Sequence, residues 1–314
     1  MKSPFGKIGP VLLSAVMLLM SGCSSNSPSF DINTENVDVV IPGMKDEVRL
    51  VFLSDLHITV VSDQVDGSER KNVSLRRQIF SNGGIVSEYQ CPEWMQVIND
   101  TQADCALFGG DMIDFASDEN MEVLKSGLDM LDIPFMYIRA DHDIEPYYLT
   151  DPNAQRCVML QKEICEYEDV MVRQFPDFVI IGWNNSPYRL TQKGWETIED
   201  ALSGGKPAIL LTHVPIEPLS DKSLEEACRR NFAGQSLLWG YGDDYYKPDE
   251  TTSKLLDLIY ADDTPFVEIL AAHMHFSWDG MVSDKVHEHV FAPSFSGNMG
   301  MITVSGSRKD HSPL

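Results

Sequence analysis

The chain has 314 residues, 43% hydrophobic and 23% charged, a balance that excludes collagen-like, coiled-coil and wholly disordered organisation. Its 48 acidic residues outnumber the 24 lysines and arginines, and the net charge of −24 opposes a nucleic-acid-coating role. The length allows one large domain or two smaller ones, and some of the excess carboxylates could serve to hold cations.

In chain order, Lys2 and Lys7 precede an apolar run from residue 8 to 20 that exits through Ser21 and Gly22 into Cys23. A basic start, a short apolar stretch and small residues describe a secretory signal, and the run is too short to span a bilayer comfortably. The exit into cysteine resembles a bacterial lipoprotein signal, although Met20 stands where that pattern usually has Leu. The expectation is a signal peptide over 1–22, a lipid anchor at Cys23, an extracytoplasmic location, and a tether and lead-in over 23–45. Membrane contact is expected only through that anchor.

Apolar runs at 48–53, 105–108, 135–138, 178–181, 208–211 and 267–271 read as strands. Helical patterns lie between several of them, at 93–101, 120–131, 193–202 and 252–261. Strands alternating with helices predict an α/β fold with covered sheet faces over 46–304, followed by a flexible tail over 305–314. Two long polar segments, 59–91 and 217–250, interrupt the alternation and are expected to build the rim of a site. The absence of a CxxC pair argues against a zinc ribbon. Cys105 reads as a buried thiol, while Cys91, Cys157, Cys165 and Cys228 could form two disulfides in three ways.

The chemistry follows the strands. Asp55 and His57 come after the first predicted strand, and Gly110, Asp111 and Asp114 after the second. Ala140, Asp141, His142 and Asp143 follow the third, His213 and Pro215 the fifth, and His273 and His275 the sixth. Ligands of α/β sheets bind beyond the carboxyl ends of strands. Read as extended backbone, Asp-x-His and His-x-His direct residues two apart to one side, where a single metal can take both. Imidazole with carboxylate suits zinc, manganese or iron. His287 and His289 alternate on another strand-like segment and are expected on an exposed edge, without partners. Trp239, Tyr241, Tyr245 and Tyr246 are read as packing for the second insertion.

The series D-x-H, G-D-x-x-D, A-D-H-D, H-x-P and A-H-x-H resembles that of the calcineurin-like metallophosphoesterases. The resemblance implies a four-layer αββα sandwich, two mixed sheets face to face with helices outside. It also implies two transition-metal ions (Mn, Fe or Zn, with a mixed Fe(III)/M(II) pair allowed). One would be held by Asp55, His57, Asp111 and His275, and the other by Asp111, Asp141, His213 and His273. Asp111 would bridge them, and a metal-bridging hydroxide would attack a small phosphomonoester or phosphodiester. His142 would act on the leaving oxygen, oriented by Asp114.

Two positions depart from the family. Ala140 replaces Gly, and Asp141 replaces the metal-ligand Asn. With Asp141 the carboxylates and hydroxide cancel two divalent cations, where Asn would leave +1 for an anionic substrate. Weakened activity, a protonated Asp141 or a trivalent ion would each accommodate the change. The alternative function is a degenerate, non-catalytic metal-binding surface lipoprotein. Phe115 stands where some members carry a phosphate-binding arginine, which weighs against a protein phosphatase.

Overall fold

In the second strand, β2 (Val48–Leu53), Leu50 and Phe52 pack to one side and Val51 and Leu53 to the other, and all four are buried. A strand covered on both faces needs no polar alternation, which is why it reads as a continuous apolar run. A computed structural model of the chain describes residues 29–63, 65, 67–147, 162–164, 169–186, 188–242 and 245–307. The expected signal peptide, Cys23, Cys157 and Cys165 lie outside the described residues, as do residues 308–314.

Two large sheets form the centre. The first has the order β1-β13-β2-β5-β6, using β1 (Asn33–Val40), β5 (Cys105–Phe108), β6 (Phe135–Tyr137) and β13 (Asn298–Ser305). The second has the order β11-β12-β10-β9-β8-β7. Its strands are β7 (Val170–Gln174), β8 (Val179–Trp183), β9 (Ala208–Thr212), β10 (Phe266–Ala271), β11 (Trp278–Met281) and β12 (His287–Val290). A small hairpin, β3 (Ser81–Asn82) with β4 (Ile85–Val86), lies apart. In the first sheet β2, β5 and β6 run parallel, and in the second β8, β9 and β10 do. Parallel strands bring their carboxyl ends, and hence the sequence motifs, to one end of each sheet.

Between the sheets, Val37, Val39, Leu50, Phe52, Leu107 and Met136 meet Ile180, Ile209, Leu211, Leu270 and Phe291. Phe52 stacks on Phe291 across this layer, with ring centroids 4.2 Å apart. Truncating such a buried ring to alanine costs about 3–5 kcal/mol. The outer face of the first sheet is covered by α2 (Ser87–Thr101) and α3 (Asp118–Leu128), through Trp94, Met95, Ile98, Met121 and Leu124. The second sheet is covered by α5 (Gln192–Leu202), α6 (Ser223–Asn231) and α7 (Glu250–Tyr260), through Ile198, Leu224, Leu255 and Ile259. Ser117, Thr191 and Asp249 cap α3, α5 and α7 by accepting from backbone N–H groups in the first turn. These are the four layers that the resemblance implied.

Several expectations change. Residues 33–40, read as lead-in, form an edge strand paired in parallel with β13, and Ser305 closes that pairing opposite Val40. The first polar insertion contains α1 (Gly67–Ile79), and the second contains α6. Cys91 and Cys228 are buried and in no disulfide, so the two-disulfide pairing does not form; Cys105 is a buried thiol as expected. Burial among apolar groups raises the Cys91 thiol to about 12 and keeps it protonated. No helix among the described residues is long and apolar enough to cross a membrane.

Candidate metal centre

The backbone turns left-handed at the ligand positions. Asp55 and His57 have φ of 48°, Asp111 52°, His273 71° and His275 53°. Such conformations strain a non-glycine residue by about 1–3 kcal/mol and persist only where surroundings enforce them. The expected extended Asp-x-His and His-x-His geometry is therefore corrected. Convergence comes from strained turns beyond the strands.

Neighbouring groups hold those turns. The N–H groups of Asp55, His57 and Ile58 donate to the carbonyls of Gly110, Asp111 and Met112 at 2.9–3.0 Å, joining the loops after β2 and β5. The Asp143 carboxylate accepts from the N–H groups of Asp111, Met112, Ile113 and Ala140 at 2.8–3.1 Å. Asn185, after β8, accepts from the N–H groups of His213 and Val214 and donates to the Val214 carbonyl. Gly110 has φ +90°, and a Cβ there would come within 2.9 Å of both Ala140 Cβ and His213 Nδ1. Asn185 carried no sequence signal, because its role is to brace another residue's backbone.

Six of the seven expected ligands fall into two groups: Asp55, His57 and His275, and Asp111, His213 and His273. In the first, His57 Nε2 lies 3.2 Å from His275 Nε2, which lies 3.4 Å from Asp55 Oδ1. In the second, His213 Nε2 lies 3.1 Å from His273 Nδ1 and 3.2 Å from Asp111 Oδ2. The same Asp111 oxygen is 3.7 Å from His57 Nε2, so it reaches towards both groups.

Buried charge sets the protonation of this cluster. Burial works against ionised Asp111, but the imidazoles of His213, His142 and His57 hold it well below the usual carboxylate range. Burial likewise opposes charge on His213, which Asp111 nevertheless pushes up to about 10. Next to it, burial and the charge of His213 push His273 down to about 4. The pocket attracts positive charge while two adjacent imidazoles cannot both carry it.

His142 lies in the short helix α4 (Asp141–Ile144), beside the first group. Its Nδ1 is 2.6 Å from the Asp114 carbonyl oxygen and 3.3 Å from Asp114 Oδ1. Asp114 Oδ1 is also 3.2 Å from His57 Nδ1, so this carboxylate orients an expected ligand as well as His142. Behind it is Arg76 of α1, which donates from Nε to Oδ2 at 3.0 Å and from Nη2 to Oδ1 at 2.5 Å. Burial would raise Asp114, but Arg76, His142 and His57 hold it far below the usual range. Phe80 stacks on His57 at 4.1 Å, and Phe295 meets His275 edge-on at 5.3 Å. From the second insertion, Phe232 lies parallel to His273 at 6.2 Å. Both insertions thus supply the rim. No motif marked Arg76, since the insertion delivers it from outside the series of strand ends.

Asp141 is placed differently. Its Oδ1 accepts from Ser186 Oγ at 2.6 Å and its Oδ2 from Tyr147 OH, and it belongs to neither ligand group. Ser186 Oγ is in turn 3.3 Å from Tyr246 OH. Trp239 and Tyr246 are buried in the core beside α7, as expected of packing residues, whereas Tyr245 is 70% exposed.

The profile of the calcineurin-like phosphoesterases matches residues 48–277, the span that carries both ligand groups. The chain belongs to that family. Among solved structures, a dimetal phosphatase from Danio rerio is similar at 11% identity and a TM-score of 0.50, over 79% of this chain and 88% of its own. A purple acid phosphatase from yellow lupin (Lupinus luteus) seeds aligns at 11% identity and a TM-score of 0.47, over 80% of this chain and 45% of its own. No curated protein matches the sequence.

The residues of this calcineurin-like phosphoesterase fit metal ions. Asp111 Oδ1 and His273 Nε2 are buried polar atoms without a hydrogen-bond partner, one from a carboxylate and one from an imidazole. Such orphaned donors and acceptors cost about 1–3 kcal/mol each unless a ligand satisfies them. Imidazole and carboxylate atoms in this mixture suit first-row transition metals.

Proposed function

We propose that the protein is a dinuclear metal-dependent phosphoesterase acting on small soluble phosphoesters. The observation that carries this reading is the position of Asp111 Oδ2, 3.2 Å from His213 Nε2 and 3.7 Å from His57 Nε2, between the two groups. One shared anionic ligand is what two adjacent cations need to offset their repulsion. Bound there, the two ions would polarise a phosphoryl oxygen and acidify a water towards neutral pH.

The chain's own residues do the rest. Asp55, His57 and His275 would hold one ion, and His213 and His273 the other, with Asp111 shared. Asp141, held by Ser186 and Tyr147, would add negative charge to the second ion's surroundings, since its charge favours protonated His213. His142, tied through Nδ1 to Asp114, retains Nε2 for a proton to the leaving oxygen. Asp114 and Arg76 fix both His142 and His57, while Phe80 and Phe295 keep water off one side of the site. Phe115 is buried and apolar, so this position offers no phosphate contact in place of the arginine found in some relatives.

The test is elemental analysis together with a panel of phosphomonoesters and phosphodiesters, on the soluble chain lacking residues 1–23. Asp111→Ala should remove two ions per chain and all hydrolysis, and full metal retention in that variant would sink the reading. The extra negative charge of Asp141 favours one second reading, a metal-binding protein without turnover; a fully loaded chain inert across the panel would select it. The location is part of the proposal too. The pattern from Lys2 to Cys23 supports a lipid anchor outside the cytoplasm, and Cys23→Ser should then release the protein from membranes or block its maturation.

A further inference from the structure

Two groups of polar and charged side chains lie outside the ligand set, and they differ in what they leave open. At the edge between the sheets, His287 Nδ1 lies 2.8 Å from Glu268 Oε1, and His289 Nε2 lies 3.1 Å from Glu35 Oε2. One oxygen of Asp279 stands 3.1–3.2 Å from a nitrogen of each imidazole. The expectation that the two histidines lack partners is overturned. Sequence could not show it, because the partners come from residues 35, 268 and 279. Each of these carboxylates has an imidazole partner, and the group calls for no ligand.

The second group surrounds Asp141, the first residue of α4 and the neighbour of His142 in sequence. Ser186 Oγ donates to its Oδ1, and Tyr147 OH donates to its Oδ2. The two donors are unlike. Ser186 is fully buried, and its hydroxyl also lies 3.3 Å from Tyr246 OH. Tyr147 is 48% exposed, and its ring centroid lies 4.8 Å from that of His142. Tyr147 therefore spans from His142 to the carboxylate of Asp141 with one side open to solvent.

Two features point beyond a structural hydrogen bond. First, Tyr147 has φ of 28°, on the left-handed side where a residue with a side chain is strained. The same backbone signature marks Asp55, His57, Asp111, His273 and His275. Second, the phenol lies within the field of Asp111, the carboxylate between the two ligand groups, as well as that of Asp141. An anionic phosphoester entering this space meets carboxylates and few donors. Arg76 is committed to Asp114, and Phe115 offers no polar atom. A phenol, with an ordinary pKa of about 10, carries its proton at neutral pH and can donate it in a hydrogen bond.

We propose that Tyr147 contacts the substrate, its phenolic O–H donating to a non-bridging oxygen of the phosphoryl group while Asp141 fixes where the phenol stands. The inference rests on the phosphoesterase reading and adds to it the recognition of the phosphoryl oxygens. In the free protein the hydrogen points at Asp141 Oδ2. Once Asp141 shares its charge with a nearby cation, it holds that hydrogen less firmly. The O–H then turns about its C–O bond towards the phosphoryl oxygen, a rotation that transfers no proton and needs no heavy atom to move. Asp141, whose charge repels an anionic substrate, thereby fixes a donor that attracts one. Ser186, buried on the other oxygen, keeps the carboxylate in place.

The test titrates inorganic phosphate into the purified, metal-loaded chain by calorimetry, with the ions counted in the same samples. Tyr147→Phe keeps the half-exposed ring and removes only the hydroxyl. It should bind phosphate about 10-fold more weakly with its ion count unchanged, the scale of a hydrogen bond to a charged group less the one given up at Asp141. The KM for a phosphomonoester should rise in parallel while kcat changes less, since the bond forms in both the ground and the transition state. Ser186→Ala, which strips the other hydroxyl from Asp141, should leave phosphate affinity close to that of the wild type. Equal weakening in both variants would overturn the proposal and leave Tyr147 as a brace for Asp141. Unchanged phosphate affinity in Tyr147→Phe would overturn it too, as would loss of ions from that variant or a two-ion wild type that takes up no phosphate. A wild-type chain that holds no pair of ions would instead refute the dinuclear reading, and this inference with it.

Discussion

Strand β10 carries histidine chemistry at its carboxyl end and along its flank, built in opposite ways. Beyond its end, His273 and His275 sit on left-handed backbone, like Asp55, His57 and Asp111 across the gap between the sheets. Along its flank, Glu268 faces His287 in regular parallel register, and Asp279 faces His289 in antiparallel register. No residue of the flanking cluster has a positive φ among the described residues. The end cluster therefore depends on strained turns held by Asp143, Asn185 and the joined loops after β2 and β5. The edge cluster depends on register alone, and a slip of one residue would turn both histidines to the opposite face. Strain marks the place where several loops must converge on one point; regular pairing suffices where neighbouring strands already supply the partners.

The sharpest way to break this contrast is through His142, which adjoins the strained cluster without belonging to either ligand group. His142→Ala should lower turnover by about 10²–10⁴-fold with metal content unchanged, read by steady-state kinetics and elemental analysis. Loss of metal in that variant would mean that His142 belongs in the coordination shell. Arg76 should matter less, since it acts through Asp114. Arg76→Ala should reduce activity or metal affinity by about 10–100-fold, the usual effect of removing a group that orients a ligand, and added guanidinium should recover part of it. Absence of any kinetic change would show that α1 is only a cover.

Asp141→Asn should act more weakly still and in the opposite direction. Removing one negative charge and adding an amide donor should raise turnover or substrate affinity several-fold if both ions are divalent, about 1 kcal/mol on the usual scale. With a trivalent ion in the second position, the same substitution should weaken its retention instead; kinetics and metal identity measured together separate the cases. The smallest effect is expected at the edge, where Asp279→Ala should leave turnover at the wild-type level. A matching loss of activity there would show that the two clusters are coupled through β10.

What the sequence by itself determined was the set of strand-end residues and their order. Asp55, His57, Asp111, Asp114, His142, His213, His273 and His275 were readable because each directly follows a buried strand whose continuous apolar run announces it. The same runs marked the central strands to within a residue or two. The edge strand β1 was not readable, because only Val37, Val39 and Ile41 around it are buried and its polar positions resemble a linker. Only the tertiary structure decided that two sheets stack face to face. Local apolar pattern reports that a strand is covered, whereas what covers it is settled by packing between residues far apart in sequence. For the same reason, it alone delivered Arg76 to Asp114, hydroxyls of Ser186 and Tyr147 to Asp141, and Glu35 to His289 across 254 positions of chain.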